Sequence, residues 1–227
     1  GVFQMMMQQQ GLSYFDKDEN ITLQTKEAIQ AMEVIKKLHD EDLVLNNKGW
    51  DGIVTATVNG SVATVPYGVW YAGTIMDQAP DLKGKWDVFY LPSFEEGSTR
   101  YANVGGSSVL IPSSSKNQSA AYAFVEFFTT DQESQLLGFE KYGLFPSLKE
   151  TYSDPTFTAN SEYFNNSPIF KKFADIVDQV PQININQNFA KATSLTSHAQ
   201  AAILLENKSV ESGLKDAQEQ LENEIKK

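Results

Sequence analysis

The sequence has no cysteine, one arginine (Arg100) and two histidines (His39 and His198). Without cysteine there is no disulfide framework, no zinc ribbon and no thiol nucleophile. Basic residues number 18 against 29 acidic ones, for a formal net charge of −11. A surface that tracks phosphates needs clustered Arg and Lys, so nucleic acid is not an expected partner. Two histidines are too few for a histidine-rich metal site. His39 reads as a solvated helix end, and His198 as a surface or half-buried helical residue. No run approaches the ~18 consecutive apolar residues of a membrane-spanning helix. Gly1 to Met7 carries no basic n-region and no cleavage site, so it is not a signal peptide, and it reads as a chain that starts inside an element. Also missing are the phosphate loop G-x-x-x-x-G-K-[ST], the dinucleotide fingerprint G-x-G-x-x-G, the nucleophile elbow G-x-S-x-G and the zinc motif H-E-x-x-H.

Apolar side chains are not lacking. Hydrophobic residues make up 41% of the 227 and aromatics 11%, enough to bury a core. Ala28, Ile29, Met32, Ile35 and Leu38 recur at helical spacing, which predicts a helix from Thr25 to His39 capped by Thr25. The β-branched run Ser61–Val65, then Trp86–Leu91 and Ser107–Ile111, read as strands closed by Pro66, Pro92 and Pro112. Trp70–Met76 reads as a short helix. A helix entered at Ser113–Ser115 carries Ala120, Ala121, Phe124, Val125 and Phe128 on one face. Asp131 caps another that ends near Gly138. Thr151–Asn166 reads as mostly loop, and Ser167-Pro168 as a helix start. Two more helices follow, Ala190–Glu206 and one capped by Ser209 with Val210, Leu214, Ala217, Leu221 and Ile225 on its face. Mixed strands and helices predict an α/β or α+β chain.

Plentiful carboxylates leave a glycosidase pair open, although no spacing marks one. Asp16, Asp18, Glu19 and Asn20 resemble a calcium loop, but its glycine and final glutamate are missing, so a solvated turn is expected. What stands out is an inventory of Trp50, Trp70, Trp86, Tyr67 and Tyr71 among many Asn, Gln and Ser. Aromatic faces cover the C–H face of a pyranose, and amides and carboxylates bridge its hydroxyls. Trp86, in an alternating segment, is expected in the core. Trp70, beside Pro66 and Gly68 in a turn, is expected at a cleft.

At these residues the chain resembles a known family. Asn59-Gly60-Ser61-Val62-Ala63-Thr64-Val65-Pro66-Tyr67-Gly68-Val69-Trp70 is similar to the F-x-x-G-K-A-A-M-x-x-x-G-x-W signature of family 1 extracellular solute-binding proteins, the maltose-binding-protein-like receptors of ABC sugar importers. Val58 stands for the phenylalanine and Ser61 for the lysine. Val104 to Pro112 with Lys116-Asn117 resembles the block G-G-x-x-x-x-I-P-x-x-S-K-N, followed by the helix Ala121–Phe128. Gly143-Leu144-Phe145-Pro146-Ser147 is similar to G-x-x-P-[AS]. Asn207 to Ala217 resembles the tail G-K-x-[ST]-x-E-E-A-L-x-x-A, with Asn207 and Gly213 as departures.

The resemblance implies an α/β chain forming the C-terminal lobe of a two-lobed periplasmic-binding-protein-like (type II) fold, with the first lobe largely missing. It assigns 1–104 and 152–227 to the second lobe and 105–151 to a segment that crosses to the first. The helix face around Phe124 is then expected to be exposed, to drive self-association, or to be mobile. The implied function is non-enzymatic: a sugar or oligosaccharide held between lobes and delivered to ABC permease subunits, outside the cytoplasm, in a periplasm or at the cell surface through a lipid anchor upstream. By position, Trp70 is the stacking platform and Tyr67 its neighbour. Gly105, Gly106 and Ser107 sit at a hinge crossing. Phe189 or Thr193 matches an aromatic-bearing helix start, Gln187 is a neighbouring amide, and Phe3 with Gln4 lies at the cleft edge. No cofactor or metal is implied. A glycoside-active domain and a receptor for a non-sugar solute such as a polyamine are the competing readings.

Overall fold

A computed structural model describes residues 1–46, 49–103 and 105–226. Among them ten α-helices follow in chain order: α1 (Val2–Gln9), α2 (Lys26–Asp40), α3 (Gly49–Val58), α4 (Trp70–Gln78), α5 (Gln118–Thr130), α6 (Gln132–Tyr142), α7 (Pro155–Thr158), α8 (Ile169–Ala174), α9 (Phe189–Leu205) and α10 (Val210–Ile225). The chain divides into two compact units. One comprises Gly1–Asn46, Tyr90–Val104 and Gln179–Lys227, the other Asn47–Phe89 and Gly105–Asp178. This division follows packing inside the chain. The expected division into 1–104, 105–151 and 152–227 concerns the lobes of a longer protein.

In the first unit, α1, α2, α9 and α10 supply the core. α2 starts where its cap predicts: the Thr25 hydroxyl accepts the Ala28 N–H at 3.2 Å, with Glu27 in the first turn and Lys37 and His39 in the last. Its apolar stripe buries Ala28, Ala31, Met32 and Ile35 against Met7, Phe15, Leu195, Ile203 and Leu214. α9 and α10 are joined by a short turn in which Asn207 takes a left-handed φ of +57°. Asparagine tolerates that conformation better than other non-glycine residues, which accounts for this departure from the family pattern. Gly213 has an equally physical reason. A Cβ there would lie 2.6 Å from Ile203 Cγ1, so glycine lets Ile203 seat fully buried on α10. The Ser209 hydroxyl caps α10 by accepting the Ser212 N–H at 3.2 Å.

In the second unit, Tyr71, Ala72 and Ile75 of α4 bury against Tyr163, Phe164 and Ile169, with Trp86 packed partly buried at the edge of this cluster. The Tyr163 hydroxyl reaches the carbonyls of Ala79 at 2.6 Å and Ile75 at 3.1 Å. A second aromatic group stacks Phe139 on Phe157, ring centroids 4.7 Å apart, with Phe170 edge-on at 4.8 Å. Asp131 caps α6 by accepting the Ser134 N–H at 2.7 Å. The helix runs past Gly138, the expected end, and stops at Gly143, whose φ of +68° supplies the left-handed turn.

Several expectations are corrected. α1 and α3 are helices that the sequence pattern did not announce. α5 begins after Asn117, not at Ser113–Ser115. Thr151–Asn166 contains α7, capped by Asp154, and short 3-10 turns. Ser167 pairs in a bridge with Ser161 and does not cap α8. Ser61–Val65, Trp86–Leu91 and Ser107–Ile111 form no ladder. Among the described residues the only pairings are the isolated bridges Phe15–Ile21 and Ser161–Ser167. A strand exists only with a neighbour to accept its backbone hydrogen bonds, and none of the described residues pairs with these three in that way. α5 buries none of its residues: Tyr122, Phe124 and Phe127 are 61%, 64% and 57% exposed.

Candidate functional site

The turn before α4 positions the most distinctive surface of the second unit. Pro66 ends the extended run, and the Tyr71 N–H donates to the Gly68 carbonyl at 3.0 Å to open the helix. A Cβ on Gly68 would lie 3.2 Å from Trp70 Nε1, so glycine at 68 leaves the indole room to fold closely back over the turn. Four rings meet there. Trp70 lies 5.1 Å from Tyr67, 5.6 Å from Trp50 and 5.8 Å from Tyr71, centroid to centroid. Tyr71 is the floor, 3% exposed, its hydroxyl 2.8 Å from that of Thr57. Above it, Trp50, Tyr67 and Trp70 are 46%, 36% and 44% exposed. Burial first, and the neighbouring Tyr71 second, push the Tyr67 phenol above its ordinary pKa. It is therefore a neutral hydrogen-bond donor and acceptor at pH 7. Beside Trp50, a shallow hollow of about 510 Å³ between α3 and α4 is lined by Asp51, Thr55, Thr74, Asp77 and Gln78. Ring faces next to carboxylates, an amide and hydroxyls are the groups that hold a polyhydroxylated ring.

The other nominated residues are placed as follows. Gly105 and Gly106 have φ of +129° and +138°, backbone that only glycine adopts freely, with open space where a Cβ would stand. Ser107 is exposed in extended chain beside them. Phe189, Thr193 and Phe3 come together in the first unit around Tyr14. The Tyr14 ring is 5.1 Å from Phe189 and 6.4 Å from Phe3. Burial pushes the Tyr14 phenol pKa up, opposed by a side-chain hydrogen bond with Thr193. Phe3 is 3% exposed, a core ring with no face open to a ligand as it stands, and Gln4 beside it is also buried. Gln187 is exposed in the turn before α9.

Sequence reasoning did not find the role of Tyr14, Gly68 or Gly143. Tyr14 carried no signal, since its partners come from two separate segments, α1 and the first turns of α9. Gly68 was legible as a turn, but its contact with the indole was not. A Cβ on Gly143 would lie 3.8 Å from the Trp70 carbonyl oxygen, so this helix stop also flanks the platform. Among the described residues, no grouping of three or more His, Asp or Glu could hold a metal ion. No helix there is long and apolar enough to cross a membrane.

The chain is 27% identical over 208 residues to an arabinooligosaccharide-binding protein of Bacillus subtilis (strain 168), covering 87% of this chain and 47% of that protein. It is 29% identical over 187 residues to a lactose-binding protein of Rhizobium radiobacter, covering 81% and 44%. The chain thus spans about half the length of these relatives. The crystal structure of an ABC transporter-associated binding protein from B. animalis subsp. lactis Bl-04, in complex with β-1,6-galactobiose, superposes with a TM-score of 0.74 at 21% identity, over 96% of this chain and 57% of that one. The fold is therefore periplasmic-binding-protein-like, of type II, with about half of such a chain represented. Residues 1–165 match the family described as bacterial extracellular solute-binding protein, and with nearly three-quarters of its length inside that match, the chain belongs to this family.

Proposed function

We propose that the chain is the C-terminal part of a carbohydrate receptor of an ABC importer, which binds a sugar or oligosaccharide outside the cytoplasm and hands it to a membrane permease. The observation that carries this reading is the aromatic platform of Trp50, Tyr67 and Trp70, raised on a buried Tyr71 beside a polar hollow. The relatives agree with it: two are named for the saccharide they bind, and the third is seen in complex with β-1,6-galactobiose. We read the protein as a binder, not an enzyme, because those relatives are named as binding proteins.

In this reading, residues 105–151 cross to a further lobe and the remainder belongs to the second lobe. Two facts support the crossing. Val109 and Leu110 are exposed in an extended segment that lacks a ladder, and α5 buries nothing. Both need a sheet to lie on. Gly105, Gly106 and Ser107 then sit where ligand and hinge meet, and closure around the sugar is what the permease senses. Phe189, Thr193 and Gln187 of the first unit are secondary candidates for ligand contact, and Phe3, buried in the core, is not one.

The experiment is a thermal-shift screen of the intact gene product against arabino-oligosaccharides, lactose, β-1,6-galactobiose, malto-oligosaccharides and polyamines. A ligand that binds only the native state at 100 times its Kd adds about 2.7 kcal/mol, which shows as a dose-dependent rise in Tm. The expected result is a rise with one saccharide class that disappears in Trp70→Ala. A rise with polyamines alone, or turnover of a chromogenic glycoside, contradicts the reading.

A further inference from the structure

Helix α1 buries three glutamines: Gln4, Gln8 and Gln9 are 9%, 2% and 7% exposed. A buried primary amide must find partners, and those of Gln8 and Gln9 are far away in sequence. Gln8 Nε2 donates to the Pro181 carbonyl at 2.6 Å, and Gln8 Oε1 accepts the Asn103 N–H at 2.7 Å. Gln9 Nε2 donates to the Pro92 carbonyl at 2.9 Å and lies 3.5 Å from the Thr99 carbonyl oxygen.

These partners share a position. The backbone passes between the two compact units after residues 46, 89, 104 and 178. Pro92, Asn103 and Pro181 each lie within three residues of one of those crossings, on the first unit's side. Residues 90–93, 99–103 and 181–186 contain no helix or ladder that could hold them. The two prolines have no N–H of their own to offer a neighbour. The side chains of two adjacent residues on one short helix therefore anchor the chain at three of its exits from the unit.

We propose that Gln8 and Gln9 are positioning residues, a clasp that fixes the exits at Asn103, Pro181 and Pro92. Any movement of the chain beyond them then pivots on held segments and not on slack ones. The proposal rests on the reading above in that sugar binding uses such a pivot. Its test needs no ligand, so a failed sugar screen and a failed clasp are separate results. A residue of the same length without hydrogen bonds, such as methionine, fills the space of Gln8 but leaves the Asn103 N–H and the Pro181 carbonyl unmatched.

Amide hydrogen exchange of the full 227-residue chain reads this directly. In Gln8→Met, exchange at Asn103, whose N–H loses its acceptor, rises at least tenfold, while amides of α2, α9 and α10 keep their wild-type protection. In Gln9→Met, limited proteolysis cuts within 90–101 at least several times faster than in wild type, while Asn103, α2, α9 and α10 keep their wild-type exchange. Wild-type exchange at Asn103 in Gln8→Met together with wild-type cleavage in Gln9→Met overturns the clasp. So does a rise spread evenly over α2, α9 and α10, which makes the glutamines ordinary core residues. If Gln8→Met does not fold, Gln9→Met makes the same distinction between local and global loosening.

Discussion

Gly68 and Trp70 are two positions apart, and the smaller residue decides where the larger one lies. A Cβ at 3.2 Å from the indole nitrogen is tighter than an ordinary contact, so the ring has to give by a few tenths of an ångström. Gly68→Ala is therefore expected to tilt Trp70 off the platform and weaken saccharide binding about tenfold, roughly 1.4 kcal/mol, with little change in Tm. Calorimetric titration and thermal melting check the two halves of that statement. Gly213 behaves in the opposite way. Gly213→Val drives a branched side chain into Ile203 and costs about 2 kcal/mol of stability, measured by urea unfolding, without altering affinity. Trp70 was legible as a surface residue because Pro66 and Gly68 mark the turn that exposes it. Tyr14 was not, because Phe3, Phe189 and Thr193 reach it from both ends of the chain, and no local pattern encodes such a meeting.

Helices α2 and α10 were legible almost to their ends, since each has a clear apolar stripe and starts at a capping hydroxyl, and α9 was legible in its extent. Thr25→Ala removes one such cap and is expected to cost about 1 kcal/mol, seen as a lower urea midpoint with an unchanged slope. α1 was hidden because it is only eight residues at the start of the given chain, too short a run for a helical period to stand out. α3 was hidden because Ile53, Val54, Thr55, Thr57 and Val58 favour strands, and packing against α4 overrides that preference. The three expected strands failed for the converse reason: β-branched composition marks a segment that suits a sheet, but a sheet needs partners. α5 gives this a measurable form. Phe124→Ser removes a ring that is 64% exposed, so Tm of this chain should change by no more than a degree or two. A drop of several degrees shows that the helix face is covered in solution.

For the whole molecule, charge sets the pH response. Asp16, Asp40, Asp154 and Glu162 are held below their ordinary pKa values of 3.8 and 4.5 chiefly by hydrogen bonds, the partners of Asp40 and Glu162 being Lys36 and Lys83. For Asp87, burial works the other way but is outweighed by the Val88 N–H and Lys172. A carboxylate with a depressed folded pKa contributes stability that is present above its unfolded pKa and lost as pH falls through the folded one. Melting temperature should therefore be flat from about pH 8 to pH 5 and fall below about pH 4, as scanning fluorimetry across that range will show. At this scale the family was legible from four motif blocks in order, while the two compact units were not, because they interleave five chain segments.

The central claim is that a saccharide stacks on the Trp70 platform. The most direct test is isothermal titration of the intact gene product with the sugar that raises its Tm, comparing wild type, Trp70→Ala and the stability control Gly213→Val. The account predicts at least a tenfold loss of affinity in Trp70→Ala and none in Gly213→Val. Equal affinity in wild type and Trp70→Ala would contradict it.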